Sequence, residues 1–330
     1  MIINRDDASP IIKNKLDRDN LERYNEEKIK TATPLIDKVL EENSVSTFDM
    51  LTLLRKVYKT SLLDAYNSVS IEEFEKSQFN CVYLARLLKE ELKKIDIDAS
   101  YLSHQAREYA LECGDKKIKE AHVSLIYPAL DRDNVKYTIF DPGLKIQVPL
   151  TFLENGEYNI TPNQNQNIKI TYNASNNNYP YAVNMYGISP YSYTNYPHLV
   201  YQRFNPEYLV QNVGEMLYPY SHKLLTGYKA TIFTKEEEKR AYIRLDHLDQ
   251  ILEYCDYKDK IINVINFSDL NQMNRNVLIT KLQSICRKLK IDVDELVDDI
   301  MFMVELNDEF ISEIMDNDVK QEYQRTRKLK

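Results

Sequence analysis

Glycine is scarce in this chain, with 6 among 330 residues. Phosphate loops and dinucleotide-binding turns need several glycines at fixed spacing, for tight turns and close backbone approach, so neither is expected here. Tryptophan is absent, and cysteine is limited to Cys81, Cys113, Cys255 and Cys286. These four lie far apart, with neither the paired spacing of a metal site nor a disulfide framework. Reduced thiols in a cytoplasmic protein with no bound metal are the expectation. No apolar run is long enough to cross a bilayer, and the opening M-I-I-N-R-D-D-A-S-P carries no secretory apolar segment, so no membrane association is expected. Basic charge is also in deficit. Lys and Arg number 43 against 51 Asp and Glu, a net charge of −8, and the isoelectric point is near 5.4. Nucleic acid is therefore not an expected partner.

What the chain does have is length and a change of texture along it. Its size allows a large core and two or three subdomains. The pattern predicts an α+β protein in three segments: a helical subdomain over 1–94, an antiparallel β-sheet or barrel over 95–210, and a mixed α/β subdomain over 211–330. In the first, residues 34–42 and 47–59 predict helices; the second has Phe48, Leu51, Leu54 and Val57 on one face and Ser46 or Thr47 as its cap. Residues 61–67 and 70–76 read as short helices or irregular pieces. In the second, residues 95–103, 146–150 and 168–172 predict strands. Asn and Tyr are dense between 155 and 201. Tyr179, Tyr181, Tyr186, Tyr191, Tyr193, Tyr196 and Tyr201 either cover a small sheet, the simpler expectation, or line a cleft. In the third, Y-K-A-T-I-F and A-Y-I-R-L flank the charged loop T-K-E-E-E-K-R as a hairpin. Residues 276–289 and 292–306 then predict helices, with Asp294, Glu295, Asp298 and Asp299 facing solvent.

One stretch, from Gln78 to Leu144, carries a candidate chemistry. Leu84, Ala85, Leu88 and Leu92 recur at helical spacing after Asn80, a good N-cap residue, so Cys81 falls in a first helical turn. The unpaired backbone N–H groups and positive dipole end there favour a thiolate. Residues 121–127 alternate as a strand, with His122, Ser124 and Ile126 on one face. Residues 135–140 predict a second strand, and the polar run P-A-L-D-R-D-N a loop between them. A turn near Asp131 makes His122 and Asp141 cross-strand neighbours. Cys81, His122 and Asp141 then supply a nucleophile, a base and the group that orients the base. The Cys81 backbone N–H, with Gln78 as a candidate second donor, would hold the oxyanion. His104 and Cys113 lie near His122 in sequence, but no ligand spacing makes them a metal site.

These motifs, N-C-V-Y-L-A-R-L-L-K-E-E-L around Cys81, E-A-H-V-S-L-I around His122 and T-I-F-D-P-G-L around Asp141, resemble the arylamine N-acetyltransferases, within the transglutaminase-like (papain-like) cysteine enzyme superfamily. The order Cys at a helix start, His on a strand and Asp ending the next strand is that of the superfamily core. The resemblance implies that the Cys takes an acyl group from a coenzyme A thioester and passes it to an amine. Acyl-coenzyme A would then be a co-substrate rather than a permanently bound cofactor, and the partners a small-molecule acyl donor and an amine acceptor. It also implies a lid-like hairpin in the 211–330 segment. The family usually has an Arg-Gly-Gly run before its Cys, where this chain has Glu75, Lys76, Ser77, Gln78, Phe79 and Asn80, and glycines after its Asp, where this chain has Pro142, Gly143, Leu144 and Lys145. Two other readings of the same residues stay open: a thiol hydrolase (peptidase, amidase or deamidase), and a binding module without activity. Coenzyme-binding residues, acceptor identity and oligomeric state are not read from the sequence.

Overall fold

Caps and apolar stripes set the helices of the N-terminal part in the computed structural model of the chain. It describes residues 14–78, 80–110, 118–154, 156–163, 166–173, 175, 180–188, 197–209, 227–232, 241–256 and 261–313. The helices are α1 (Glu26–Lys30), α2 (Thr33–Glu42), α3 (Phe48–Val57), α4 (Leu62–Ser68), α5 (Ile71–Lys76) and α6 (Asn80–Lys93). The Ser61 hydroxyl caps α4, and Ser70 and Glu73 form a reciprocal capping box on α5. Thr47 occupies the cap position of α3 without capping it. Its hydroxyl accepts instead from the Lys229 N–H at 2.7 Å.

The chain divides into two compact units, one of residues 1–39 with 84–217, the other of 40–83 with 218–330. The first holds an eight-stranded sheet of β3 (Ser100–Ala110), β4 (Ile118–Asp131), β5 (Asn134–Phe140), β6 (Leu150–Leu153), β7 (Glu157–Asn163), β8 (Gln166–Tyr172), β9 (Tyr181–Ile188) and β10 (Pro197–Phe204). Their order is β6-β5-β4-β3-β10-β9-β8-β7, and each neighbouring pair is antiparallel. β6 and β7 are its two edges, yet the rings of Phe152 and Tyr158 from those edges stand 6.3 Å apart. The sheet therefore curls into a nearly closed barrel. Its inner face is apolar at alternate positions, including Leu102, Ile126, Tyr137, Ile139, Phe152, Ile170, Tyr181 and Phe204. A short pair, β1 (Asn14–Lys15) with β11 (Tyr208–Leu209), lies in the same unit. Phe152 meets Tyr137, Tyr181 and Phe204 at 5.5, 5.4 and 6.1 Å between centroids. Phe152→Leu is expected to lower stability by about 1–2 kcal/mol through these lost ring contacts, read as a shift in the denaturant midpoint.

The second unit holds a five-stranded antiparallel sheet, in the order β15-β14-β13-β12-β2, of β2 (Val45–Ser46), β12 (Tyr228–Ile232), β13 (Ala241–Asp246), β14 (Ile251–Asp256) and β15 (Ile261–Asn266). With it go α7 (Phe267–Leu270), α8 (Arg275–Leu289), α9 (Val293–Glu305) and α10 (Asn307–Glu313). The hairpin of β12 and β13 matches the sequence expectation, while its T-K-E-E-E-K-R loop lies outside the described residues.

Several element expectations need correction. Residues 128–131 are strand, not loop, and Arg132 and Asp133 alone make the turn, with Arg132 at φ 59°. β3 pairs with β4 only as far as Ile126, so Pro128 lies where no strand ladder needs its missing N–H. Beyond it, Leu130 exchanges backbone hydrogen bonds with Glu22 and Tyr24 instead. The first strand begins at Ser100 rather than 95, because residues 94–96 close a turn after α6, with Asp96 at φ 61°. Residues 146–148 are not strand, because the chain folds back there, the Ile146 N–H donating to the Asp141 carbonyl at 3.1 Å. Asp299 does not face solvent. It is buried and accepts from Arg55 Nε at 2.6 Å and from the Thr52 hydroxyl, and burial raises its carboxyl to about 6.

Candidate active site

His122 comes from β4, and Asp141 is the first residue after β5. The register pairs Asp131 with Asn134 and Leu125 with Phe140. Continued, it sets His122 opposite Gly143, so Asp141 is a diagonal neighbour rather than a direct one. An even offset keeps both side chains on one face, which is why the contact survives the shift. His122 Nε2 lies 2.9 Å from each oxygen of Asp141, and both residues are buried, 7% and 2% exposed. Asp141 Oδ1 also accepts from the Leu144 N–H at 3.0 Å, so the turn after β5 fixes the carboxylate. Burial pushes this carboxyl up. The charge and hydrogen bond of His122, the neighbouring His104 and the Leu144 N–H outweigh it and hold the group below its usual range. Asp141 is thus a buried carboxylate that accepts from His122 Nε2, so proton exchange at this imidazole falls to Nδ1.

A second histidine belongs to this cluster. His104 in β3 is directly opposite His122 in β4, with ring centroids 5.3 Å apart. Its Nε2 lies 2.6 Å from the Ser124 hydroxyl. Burial, then the neighbouring His122, lowers its pKa to about 3, so it stays neutral. Sequence reasoning placed His104 only as a weak metal candidate. The available signal was its strand parity with His122, hidden because β3 is longer than the pattern suggests.

Cys81 sits in the first turn of α6, a free thiol only 3% exposed. The helix starts at Asn80, so Asn80 is its first residue and not its cap; Phe79 lies outside the described residues. Leu84, Ala85, Leu88 and Leu92 form the buried stripe of α6. The approach to the cysteine is pinned within the second unit. The Gln78 N–H donates to Asp49 Oδ2 at 2.5 Å, and its carbonyl accepts from the Ser46 N–H at 3.1 Å. Gln78 Oε1 is buried with no hydrogen-bond partner among the described residues. The boundary between the units falls after Tyr83, so Cys81 is counted with the second unit and the His122–Asp141 pair with the first. Of the three residues, the structure brings His122 and Asp141 together inside one unit.

Burial raises the Cys255 thiol and pushes the Cys286 thiol up to about 12, while Cys113 lies outside the described residues. Tyr181 belongs to the barrel's ring cluster, meeting Tyr172 at 5.1 Å and Phe204 at 5.6 Å. Tyr179, Tyr191, Tyr193 and Tyr196 lie outside the described residues. Among the described residues, no group of three or more His, Cys, Asp or Glu side chains is arranged to hold a metal ion, and no helix is long and apolar enough to cross a membrane.

No family model matches the chain, and no curated protein matches it. Among solved structures, the chain is similar over most of its length to arylamine N-acetyltransferases. That of Mycobacterium smegmatis is 15% identical, with 86% of this chain and 94% of that one covered and a TM-score of 0.47. That of Mycobacterium marinum, in complex with CoA, is 13% identical, covering 82% and 92%, with a TM-score of 0.46. That of Salmonella typhimurium is 12% identical, covering 83% and 92%, with a TM-score of 0.46.

Proposed function

We propose that the chain is a cysteine-dependent acyltransferase that forms an acyl-thioester on Cys81 and passes the acyl group to an amine. The observation that carries this reading is the buried His122–Asp141 pair, an ionised carboxylate that meets one imidazole with both oxygens. Cys81 at a helix start and the sequence motifs around all three residues support it. His122 takes the proton of the Cys81 thiol as the sulfur attacks the donor's thioester carbonyl. The tetrahedral intermediate collapses, the donor's sulfur leaves and His122 returns the proton to it. In the second half, an amine attacks the acylated Cys81, His122 accepts the amine proton, and the Cys81 sulfur leaves and is reprotonated. Asp141 stabilises the imidazolium in both halves. An acyl-coenzyme A is the donor the resemblance implies, and water in place of the amine would make the same machinery a hydrolase.

The test is intact-mass spectrometry after incubation with acetyl-coenzyme A, followed by peptide mapping. One acetyl group on Cys81, removed on adding an arylamine, is expected. Labelling of another cysteine, or no adduct at Cys81, refutes the reading. Iodoacetamide gives a donor-free check. Burial leaves Cys255 and Cys286 little thiolate at neutral pH, so Cys81 is expected to be carbamidomethylated before either of them.

A further inference from the structure

In the second unit, four buried polar atoms on β12, after β13 and on helix α10 have no hydrogen-bond partner among the described residues. They are both ring nitrogens of His247, the Tyr228 hydroxyl and the Asn307 side-chain oxygen. An unpaired buried polar atom carries its whole desolvation penalty, and folded proteins leave few of them. Three of them, on His247 and Tyr228, belong to side chains packed on one ring, that of Phe310, which is 0% exposed. Its ring stands edge-to-face with His247 at 4.5 Å and with Tyr228 at 5.9 Å between centroids, and Phe48 backs Tyr228 at 6.0 Å. Asn307, three residues before Phe310, shares its helix face. Phe310 thus fills an aromatic pocket whose polar atoms it cannot satisfy, having none of its own.

Helix α10 is described from Asn307 to Glu313. Leu306, which joins it to α9, leaves the helical region at φ −101°, ψ 16° and offers a hinge. Besides Phe310, Glu309 anchors the helix by accepting from the Leu62 N–H at 2.7 Å and from the Tyr58 hydroxyl at 3.2 Å.

We propose that α10 is a removable plug over a binding pocket for a small aromatic molecule bearing a hydroxyl or ring N–H, such as a phenol. When α10 lifts, water reaches the four polar atoms, which offsets part of the lost Phe310 contact. A phenol then takes the place of the Phe310 ring against Tyr228 and His247, and its O–H donates to the unprotonated His247 nitrogen. Acid favours the same opening. Burial alone lowers His247 to about 3 from an ordinary 6.5, so an uncovered His247 gains a proton that the covered one refuses. The groups packed on it from β12 and α10, namely Tyr228 and Phe310, are uncharged. Its neighbour Asp246 is taken up by Arg244 and by the Leu248 and Asp249 N–H groups, and Asp299 acts on Tyr228 rather than on His247. None of these residues belongs to the proposed acyl-transfer centre, so the plug stands or falls independently of it.

Hydrogen exchange on the full chain tests the plug, and phenol and toluene titrations of Phe310→Ala, with Phe310→Leu as the milder variant, test the pocket. The α10 amides are expected to exchange by local opening, ahead of those of α8. After correction for intrinsic chemistry, their open population should rise about tenfold from pH 7.5 to 5.5. Phe310→Ala is expected to bind phenol at least tenfold more tightly than toluene. Exchange of α10 only in step with global unfolding overturns the plug in the unaltered chain. Equal affinity of the variants for phenol and toluene overturns the polar pocket.

Discussion

Asp141→Asn is expected to slow the proposed acylation of Cys81 by about 10³–10⁴-fold while the protein stays folded. The substitution keeps shape and removes charge. The carbonyl oxygen of the introduced amide can still accept from the Leu144 N–H, now made to Asp141 Oδ1 at 3.0 Å. The other position becomes an NH₂ group facing His122 Nε2, which today lies 2.9 Å from a carboxylate oxygen. Two N–H groups cannot share that contact, so the imidazole must present a bare Nε2 and carry its proton on Nδ1. The nitrogen that would accept the thiol proton is then already protonated, and the imidazolium loses its buried counter-charge. Asp141→Ala is a poorer test, since removing one partner of a buried pair destabilises the fold itself. Acyl-enzyme formation measured by mass, alongside thermal unfolding, separates the two effects. A rate within a few-fold of the unaltered protein would reduce the His122–Asp141 pair to structural polar packing.

That pair was legible in the sequence because strand parity is robust. The expected register was wrong by two places, through a turn at Arg132–Asp133 tighter than the polar run suggested. A two-place slip preserves the face, whereas a one-place slip would have separated the residues. The helix carrying Cys81 was legible from its apolar stripe, as were α8, α9 and the β12–β13 hairpin. What stayed hidden depends on contacts between elements distant in the chain. Asp299 reads as one more acid on an exposed helix face until Thr52 and Arg55 of α3 are brought against it. β14 and β15 pass unread because their apolar residues signify only once β13 lies beside them, and Ile261, Ile262 and Val264 remain exposed even then. His104 and His247 give no local signal. Each is buried by residues more than ten positions away, and burial is what sets their chemistry.

Those two histidines, one in each unit, should make the protein acid-labile well above the range where carboxylates titrate. Both are held neutral, with pKa about 3 in the fold against 6.5 in solution, burial being the leading cause. Between those values the unfolded chain binds protons that the folded chain refuses, so stability falls as pH falls. It is complete above pH 6.5 and declines by about 1.4 kcal/mol per pH unit for each histidine. Asp299 works in the opposite sense. Its folded pKa of about 6 lies above the ordinary 3.8, so between those values it takes up a proton on folding and cancels one histidine. Two uncompensated protons from pH 6.5 to 6, then one from pH 6 to 4.5, amount to a loss of about 3 kcal/mol. That is a large share of the roughly 5–15 kcal/mol that holds a typical domain folded. Urea unfolding at pH 7.5, 6 and 4.5 should therefore show the midpoint falling in the order of the pH. His104→Phe and His247→Phe, which remove the titrating ring while keeping an apolar one, should each flatten the decline, and together they should reverse it between pH 6 and 4.5, where Asp299 and the likewise raised Asp49 carboxyl then act without opposition from either histidine. A midpoint insensitive to pH over that range in the unaltered protein would mean that neither imidazole is held neutral by burial.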